Sequence, residues 1–206
     1  MEFKKIQLNG FKSFAEKADF LIEDGLTGIV GPNGCGKSNI VESLRWAMGE
    51  TSAKSMRGSG MEDVIFSGTS NKASKNIAEV TIEVENKDKE GPVQYRDHDQ
   101  IQIKRKIEKD KGSKFYINGK EVRARDAQMF FADLSTGAHS QSMISQGRIG
   151  GLVTAKPTDR RAILEEAAGI SGLHVRRHEA ELRLGAAENN LKRADELRRQ
   201  QEKQLA

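Results

Sequence analysis

The chain has 206 residues, of which 36% are hydrophobic, 31% charged and 5% aromatic, enough for one sizeable core or for one domain with a projecting element. Its 34 basic and 30 acidic residues leave a formal charge of +4, too small a surplus to identify a polyanionic partner by charge alone. No segment approaches the roughly 18 apolar residues of a membrane span, the start MEFKKIQLNGFKSF has no apolar h-region, and the single cysteine, Cys35, supports neither a disulfide nor a zinc site, so a cytoplasmic protein is expected.

In chain order, apolar spacing predicts three short strands: one at Phe3, Ile6 and Leu8, one at Phe20 and Ile22, and one at Leu26, Ile29 and Val30, with breaks at Gly10 and Asp24-Gly25. The third runs into Gly31-Pro32-Asn33-Gly34-Cys35-Gly36-Lys37-Ser38, after which Ile40, Val41, Leu44 and Met48 recur at helical spacing up to Gly49. Residues 51–75 are rich in Ser, Gly and Lys and read as loops around one short buried strand, Val64-Ile65-Phe66. Val80, Ile82 and Val84 alternate with polar residues, Ile101, Ile103 and Ile107 share one parity, and Phe115-Tyr116-Ile117 precedes the turn Asn118-Gly119, which together predict an antiparallel sheet with one wet face.

A helix over 123–134 would present Ala127, Phe130, Phe131 and Leu134 on one apolar face, and a glycine- and serine-rich stretch follows over 135–151. From Thr158, an N-cap candidate, the chain favours helix to its last residue, as one or two helices. There Ala180, Leu184, Ala187, Leu191, Ala194 and Leu205 fit heptad positions, which predicts a coiled-coil start over 158–206 attached to a domain over 1–157. The final polar run has neither turn nor cap, as though a longer helix continued.

The segment 31–38 matches G-x-x-x-x-G-K-S/T, with an apolar strand before it and an amphipathic helix after it. Glycines let successive backbone N–H groups turn inward toward phosphate oxygens, and the helix N-terminus adds its positive dipole end. Lys37 is expected to reach the outer phosphates, and the Ser38 hydroxyl to complete a magnesium shell. Hydrolysis also needs a carboxylate to hold magnesium and position water; no apolar run ending in Asp or Glu supplies one here.

Several separate blocks stand out: Gly10-Phe11-Lys12-Ser13-Phe14, the phosphate loop extended to Asn39, Arg45-Trp46-Ala47-Met48-Gly49-Glu50, Lys54-Ser55-Met56-Arg57-Gly58, Glu62-Asp63-Val64-Ile65-Phe66, Ser145-Gln146-Gly147-Arg148-Ile149 and the stretch Arg161-Ala162-Ile163-Leu164-Glu165-Glu166-Ala167-Ala168-Gly169-Ile170. Together they resemble the bacterial SMC proteins. The resemblance implies an α/β, ABC-type P-loop NTPase half-domain, a mixed sheet with an antiparallel subsheet, whose Walker B and signature motifs lie in a C-terminal half of the same head. It implies ATP and magnesium as cofactors. Gln146 matches the Q-loop glutamine that contacts magnesium and the attacking water, Arg57 an arginine near the phosphates, and Lys37 the phosphate-loop lysine. Lys12, Ser13 and Asp63 fall near the nucleotide, with Asp63 on the adenine side. After Ile149 the family pattern leads one to expect a polar pair such as Ser-Glu, whereas this chain has Gly150-Gly151, which loosens the link from the Q-loop to the next helix.

The implied partners are the C-terminal half, a second head, a kleisin-type subunit and double-stranded DNA, with no membrane and a nucleoid-associated place in the cytoplasm. DNA would be held without sequence preference through Lys120, Arg123 and Arg125, with Arg176 and Arg177 second. The implied function is ATP-dependent head engagement, DNA entrapment and chromosome segregation. The competing readings are a related repair ATPase of RecN or zinc-hook type, a small-molecule kinase, and a non-hydrolysing nucleotide-dependent scaffold.

Overall fold

The spacing of Phe3, Ile6 and Leu8 is not that of a regular strand, and a bulge explains it. In a computed structural model, which describes residues 1–87, 89, 92–134, 143, 154–167 and 171–205, strand β1 (Glu2–Asn9) shifts register against its neighbour between Phe3 and Lys5. The extra residue brings Phe3 back to the face carrying Ile6 and Leu8. β1 pairs with β2 (Ala18–Leu21) on one side and with β3 (Ile77–Glu85) on the other.

Among the described residues these strands form one sheet. β3 pairs with β4 (Gln100–Glu108), β4 with β5 (Gly112–Ile117) and β5 with β6 (Lys120–Val122), giving the order β2-β1-β3-β4-β5-β6 with every neighbouring pair antiparallel. The Asn118-Gly119 turn joins β5 to β6 with both φ angles positive, 48° and 79°, the backbone signature of a type I′ hairpin. Matching rows cross the sheet on its buried face. One runs Phe20, Ile6, Ile82, Ile103, Ile117; the next runs Leu8, Val80, Arg105, Phe115, Val122.

That face is covered by α1 (Lys37–Ala47), whose Ile40, Trp46 and Ala47 join the core. α2 (Ala124–Asp133) follows β6 and buries Ala127, Phe130 and Phe131, as its apolar face predicts. The tail forms two helices, α3 (Pro157–Ala167) and α4 (Ser171–Leu205), and α4 touches both α2 and α3.

Three local expectations change. Leu26, Ile29 and Val30 lie outside any strand, and Leu26 and Val30 are 96% and 92% exposed: apolar residues with strand spacing and no neighbouring strand among the described residues. Val64-Ile65-Phe66 is buried as expected, but as the end of a 3-10 turn (Met61–Val64) followed by one isolated bridge from Ile65 to Phe11, because Asp63 caps the turn. Thr158 is not the N-cap; α3 begins one residue earlier, at Pro157, whose missing N–H costs nothing in a first turn, and the Lys156 carbonyl accepts from Asp159 and Arg160.

Candidate nucleotide site

The phosphate loop ends where α1 begins. Gly36, the residue before the helix, has φ 95°, a left-handed conformation that disfavours a Cβ. A Cβ there would also lie 2.9 Å from Ser13 Oγ. The loop is open to solvent, and the Lys37 ammonium folds back over it, donating to the carbonyls of Gly31 at 2.7 Å and Pro32 at 2.6 Å. Ser38 is exposed in the first turn of α1, and Cys35 is an exposed free thiol in the loop.

A second layer ties residues from three segments to the same turn. Phe66 N–H donates to the Gly10 carbonyl and Lys12 N–H to the Val64 carbonyl, which draws 10–14 alongside 64–66. Ser13 Oγ thereby accepts from Asn39 Nδ2 at 2.8 Å, and Asn39 Oδ1 accepts from Arg57 Nη2 at 3.0 Å. Behind them lies Glu42, a carboxylate on α1 whose side chain is only 9% exposed. Its Oε1 meets Arg57 Nε at 2.5 Å, and its Oε2 accepts from Lys12 Nζ, which also donates to the Met56 carbonyl. Lys12 and Arg57 both have left-handed backbone, φ 46° and 54°, a conformation that non-glycine residues keep only where surrounding contacts hold it.

Lys12, Ser13, Asn39 and Arg57 are thus gathered beside the phosphate loop. Asp63 is turned to its own loop: Oδ2 accepts from the N–H groups of Gly60 and Ser59 and from the Ser59 hydroxyl, at 2.6 to 2.9 Å. The Gly60 N–H, then the two Ser59 donors, hold its carboxyl below the usual range. Lys120, Arg123 and Arg125 lie exposed together on β6 and at the start of α2, next to a shallow hollow of about 510 Å3, and Lys114 nearby pairs with Glu121 at 3.0 Å. Gln146, Gly150 and Gly151 lie outside the described residues, as does Arg176 as regards its side chain.

Residues 2–148 match the family described as the RecF/RecN/SMC N terminal domain. The chain belongs to that family. It is 56% identical over 197 residues to the chromosome partition protein Smc of Rhodopseudomonas palustris, covering 96% of this chain and 17% of that protein. It is 43% identical over 207 residues to the Smc of Myxococcus xanthus, covering 100% of this chain and 17% of that one. The chain therefore spans about a sixth of the length of these relatives.

Among solved structures, it resembles one concerned with ATP-driven dimerization and DNA-stimulated activation of SMC ATPases, at TM-score 0.70 and 30% identity over 81% of this chain and 99% of that one. A second is the Smc head domain of Pyrococcus furiosus with an extended coiled coil, bound to the C-terminal domain of ScpA, at TM-score 0.72 and 32% identity over 95% of this chain and 48% of that one. The fold is thus that of an SMC head, an α/β ABC-type half-domain with its antiparallel sheet.

Two buried charges of this SMC half-head are not evident from motifs. Glu42 sits between Ile40 and Trp46 on the inward side of α1, a helical-face position the apolar pattern alone passes over. Arg105 occupies the same parity as Ile101, Ile103 and Ile107, so its place on the buried face was legible, but its purpose was not. Its Nη1 donates to the carbonyls of Trp46 at 2.6 Å and Glu50 at 2.7 Å, and its Nε to Ser113 Oγ at 2.8 Å. The guanidinium lies between the rings of Trp46 and Phe115, 4.5 and 4.7 Å from their centroids. Burial lowers its pKa to about 10, which leaves it charged at neutral pH at the carbonyl end of α1, where a cation is favoured.

Proposed function

We propose that this chain is the ATP-binding N-terminal part of an SMC head that hydrolyses ATP only when a C-terminal half completes it. The observation that carries the reading is the phosphate loop over 31–38 at the start of α1, with its lysine ammonium already held at the mouth of the loop. Phosphate oxygens are stronger acceptors for an ammonium than carbonyls are, so Lys37 would exchange Gly31 and Pro32 for the outer phosphates.

The donor set fits magnesium. Among the described residues no cluster of three or more His, Cys, Asp or Glu forms a cage, and the exposed Ser38 hydroxyl is the kind of single protein ligand that magnesium takes beside phosphates and water. Bound magnesium would neutralise charge on the outer phosphates. Asn39 and Ser13 would set the first turn of α1, and Arg57 would face the phosphates from its side. Gln146 is proposed as the contact to magnesium and attacking water, and Asp63 as a group that orders the loop near the adenine.

The exposed Leu26, Ile29 and Val30, which lead directly into the phosphate loop, support a missing partner: strands of a C-terminal half would cover them. With two such heads closing on ATP, the assembly would entrap DNA and serve chromosome partition in the nucleoid, with a kleisin subunit, as ScpA is bound in the related heads. Lys120, Arg123 and Arg125 are the proposed phosphate-backbone contacts, and the proposed boundary between head and coil falls between residues 157 and 158. The test is to measure ATP binding and turnover of the chain alone and after adding a separately expressed C-terminal half. Binding without turnover, then turnover on mixing, is expected; robust turnover alone would overturn the composite reading.

A further inference from the structure

We propose that Glu42 is a positioning residue of the phosphate site: a buried carboxylate that holds the Arg57 guanidinium against the first turn of α1, with Lys12 as its second, inner counter-ion. The inference rests on the reading that the first turn of α1 receives the nucleotide phosphates. The carboxylate is 9% exposed and meets one cation at each oxygen, yet the two cations differ sharply: the Lys12 side chain is 13% exposed and that of Arg57 is 57%.

Lys12 is fully committed inward. Its ammonium joins Glu42 to the Met56 carbonyl, and so fixes the residue just before Arg57 to α1. Among the described residues, Arg57 is committed on one edge only. Nε goes to Glu42 and Nη2 to Asn39 Oδ1, and Asn39 is two residues past Lys37 on the same helix, so the guanidinium stands at the height of the phosphate loop. A half-exposed arginine without such anchors samples many rotamers; pinned at Nε and Nη2, its planar fork stays aimed.

Charge arithmetic explains why two cations are needed. One cation would cancel Glu42 and leave no positive charge for an anion, whereas Lys12, Arg57 and Glu42 together leave one net positive charge at the loop. The left-handed backbone at both Lys12 and Arg57 fits the same account, since each is a residue whose side chain must reach a fixed carboxylate from a constrained turn.

The test is a double-mutant cycle on the whole chain, reading MgATP affinity by calorimetry and folding by thermal melting. Glu42→Gln and Arg57→Ala are each expected to weaken MgATP by roughly 5- to 20-fold, and the double variant to be no weaker than Arg57→Ala within about 2-fold, because both remove one contact. A fold-only role for Glu42 would instead multiply the two losses, and that result overturns the proposal, as does an unchanged affinity for Glu42→Gln. If Glu42→Gln fails to fold because Lys12 is left unpaired, the pair Lys12→Met with Glu42→Gln removes both charges together and is compared with and without Arg57→Ala in the same way. Failure of that pair to fold also overturns the proposal. An Arg57→Ala chain with unchanged affinity overturns it while the phosphate-site reading stands, provided Lys37→Ala weakens binding; if Lys37→Ala is also without effect, both readings fall.

Discussion

On the proposed reading, Lys37 is the side chain on which nucleotide binding would depend most directly. A hydrogen bond involving a charged group contributes about 1.5–3 kcal/mol, so Lys37→Ala is expected to weaken MgATP by roughly 10- to 150-fold, measured by calorimetry. Asp63 offers a pH test. Its folded carboxyl titrates below the ordinary 3.8, so its contribution is complete above that value and is lost as pH falls through the depressed one. Protection of the Ser59 and Gly60 amides, measured against their intrinsic exchange rates, is expected to fall in that acid range, and Asp63→Asn is expected to lower it already at neutral pH. The sequence placed the glycine-rich loop, Lys37 and Ser38 at the start of a helix, and that is where they stand. Glu42 escaped, because a carboxylate within an apolar helical face looks like solvated surface until the cations that reach it from residues 12 and 57 are brought alongside by folding.

Elements were legible where period and burial agree. The alternation in β3 and the Asn118-Gly119 turn led straight to the observed strands and hairpin, whereas the joining of β1 to β3 rests on a pairing across about seventy residues of chain that no local pattern encodes. The strand expected at 26–30 failed for a different reason: a strand is defined by its neighbours, and among the described residues none lies there. Arg105 shows what binds these elements together. It joins β4, β5 and the carbonyl end of α1, so Arg105→Met is expected to lower stability by about 2–4 kcal/mol, since it strands two buried carbonyls and empties the space between Trp46 and Phe115. Chemical denaturation of the two proteins reads the difference.

For the whole molecule, the exposed apolar run before the phosphate loop and the basic corner at β6 and α2 make separate statements. Backbone amides of residues 26–30 are expected to gain protection from exchange on addition of a C-terminal half, and no such gain would deny the completion of the sheet. Alanine at Lys120, Arg123 and Arg125 is expected to weaken DNA uniformly across sequences and to reduce the slope of log affinity against log salt by about 0.9 for each phosphate contact removed, read by anisotropy in a salt series. Gln128 Nε2 donates to the Gly49 carbonyl at 2.8 Å, just past the end of α1, in so close an approach that a Cβ on Gly49 would fall 2.4 Å from Gln128 Cγ. α2, which carries Gln128, touches α4, and α4 has 35 residues, a rod of about 52 Å at the helical rise. If this rod turns as one body about its base, a tilt of about 10° would carry its tip roughly 9 Å. On that geometry a small movement where α2 meets α4 would become, at the far end, a stroke wider than the rod's own backbone.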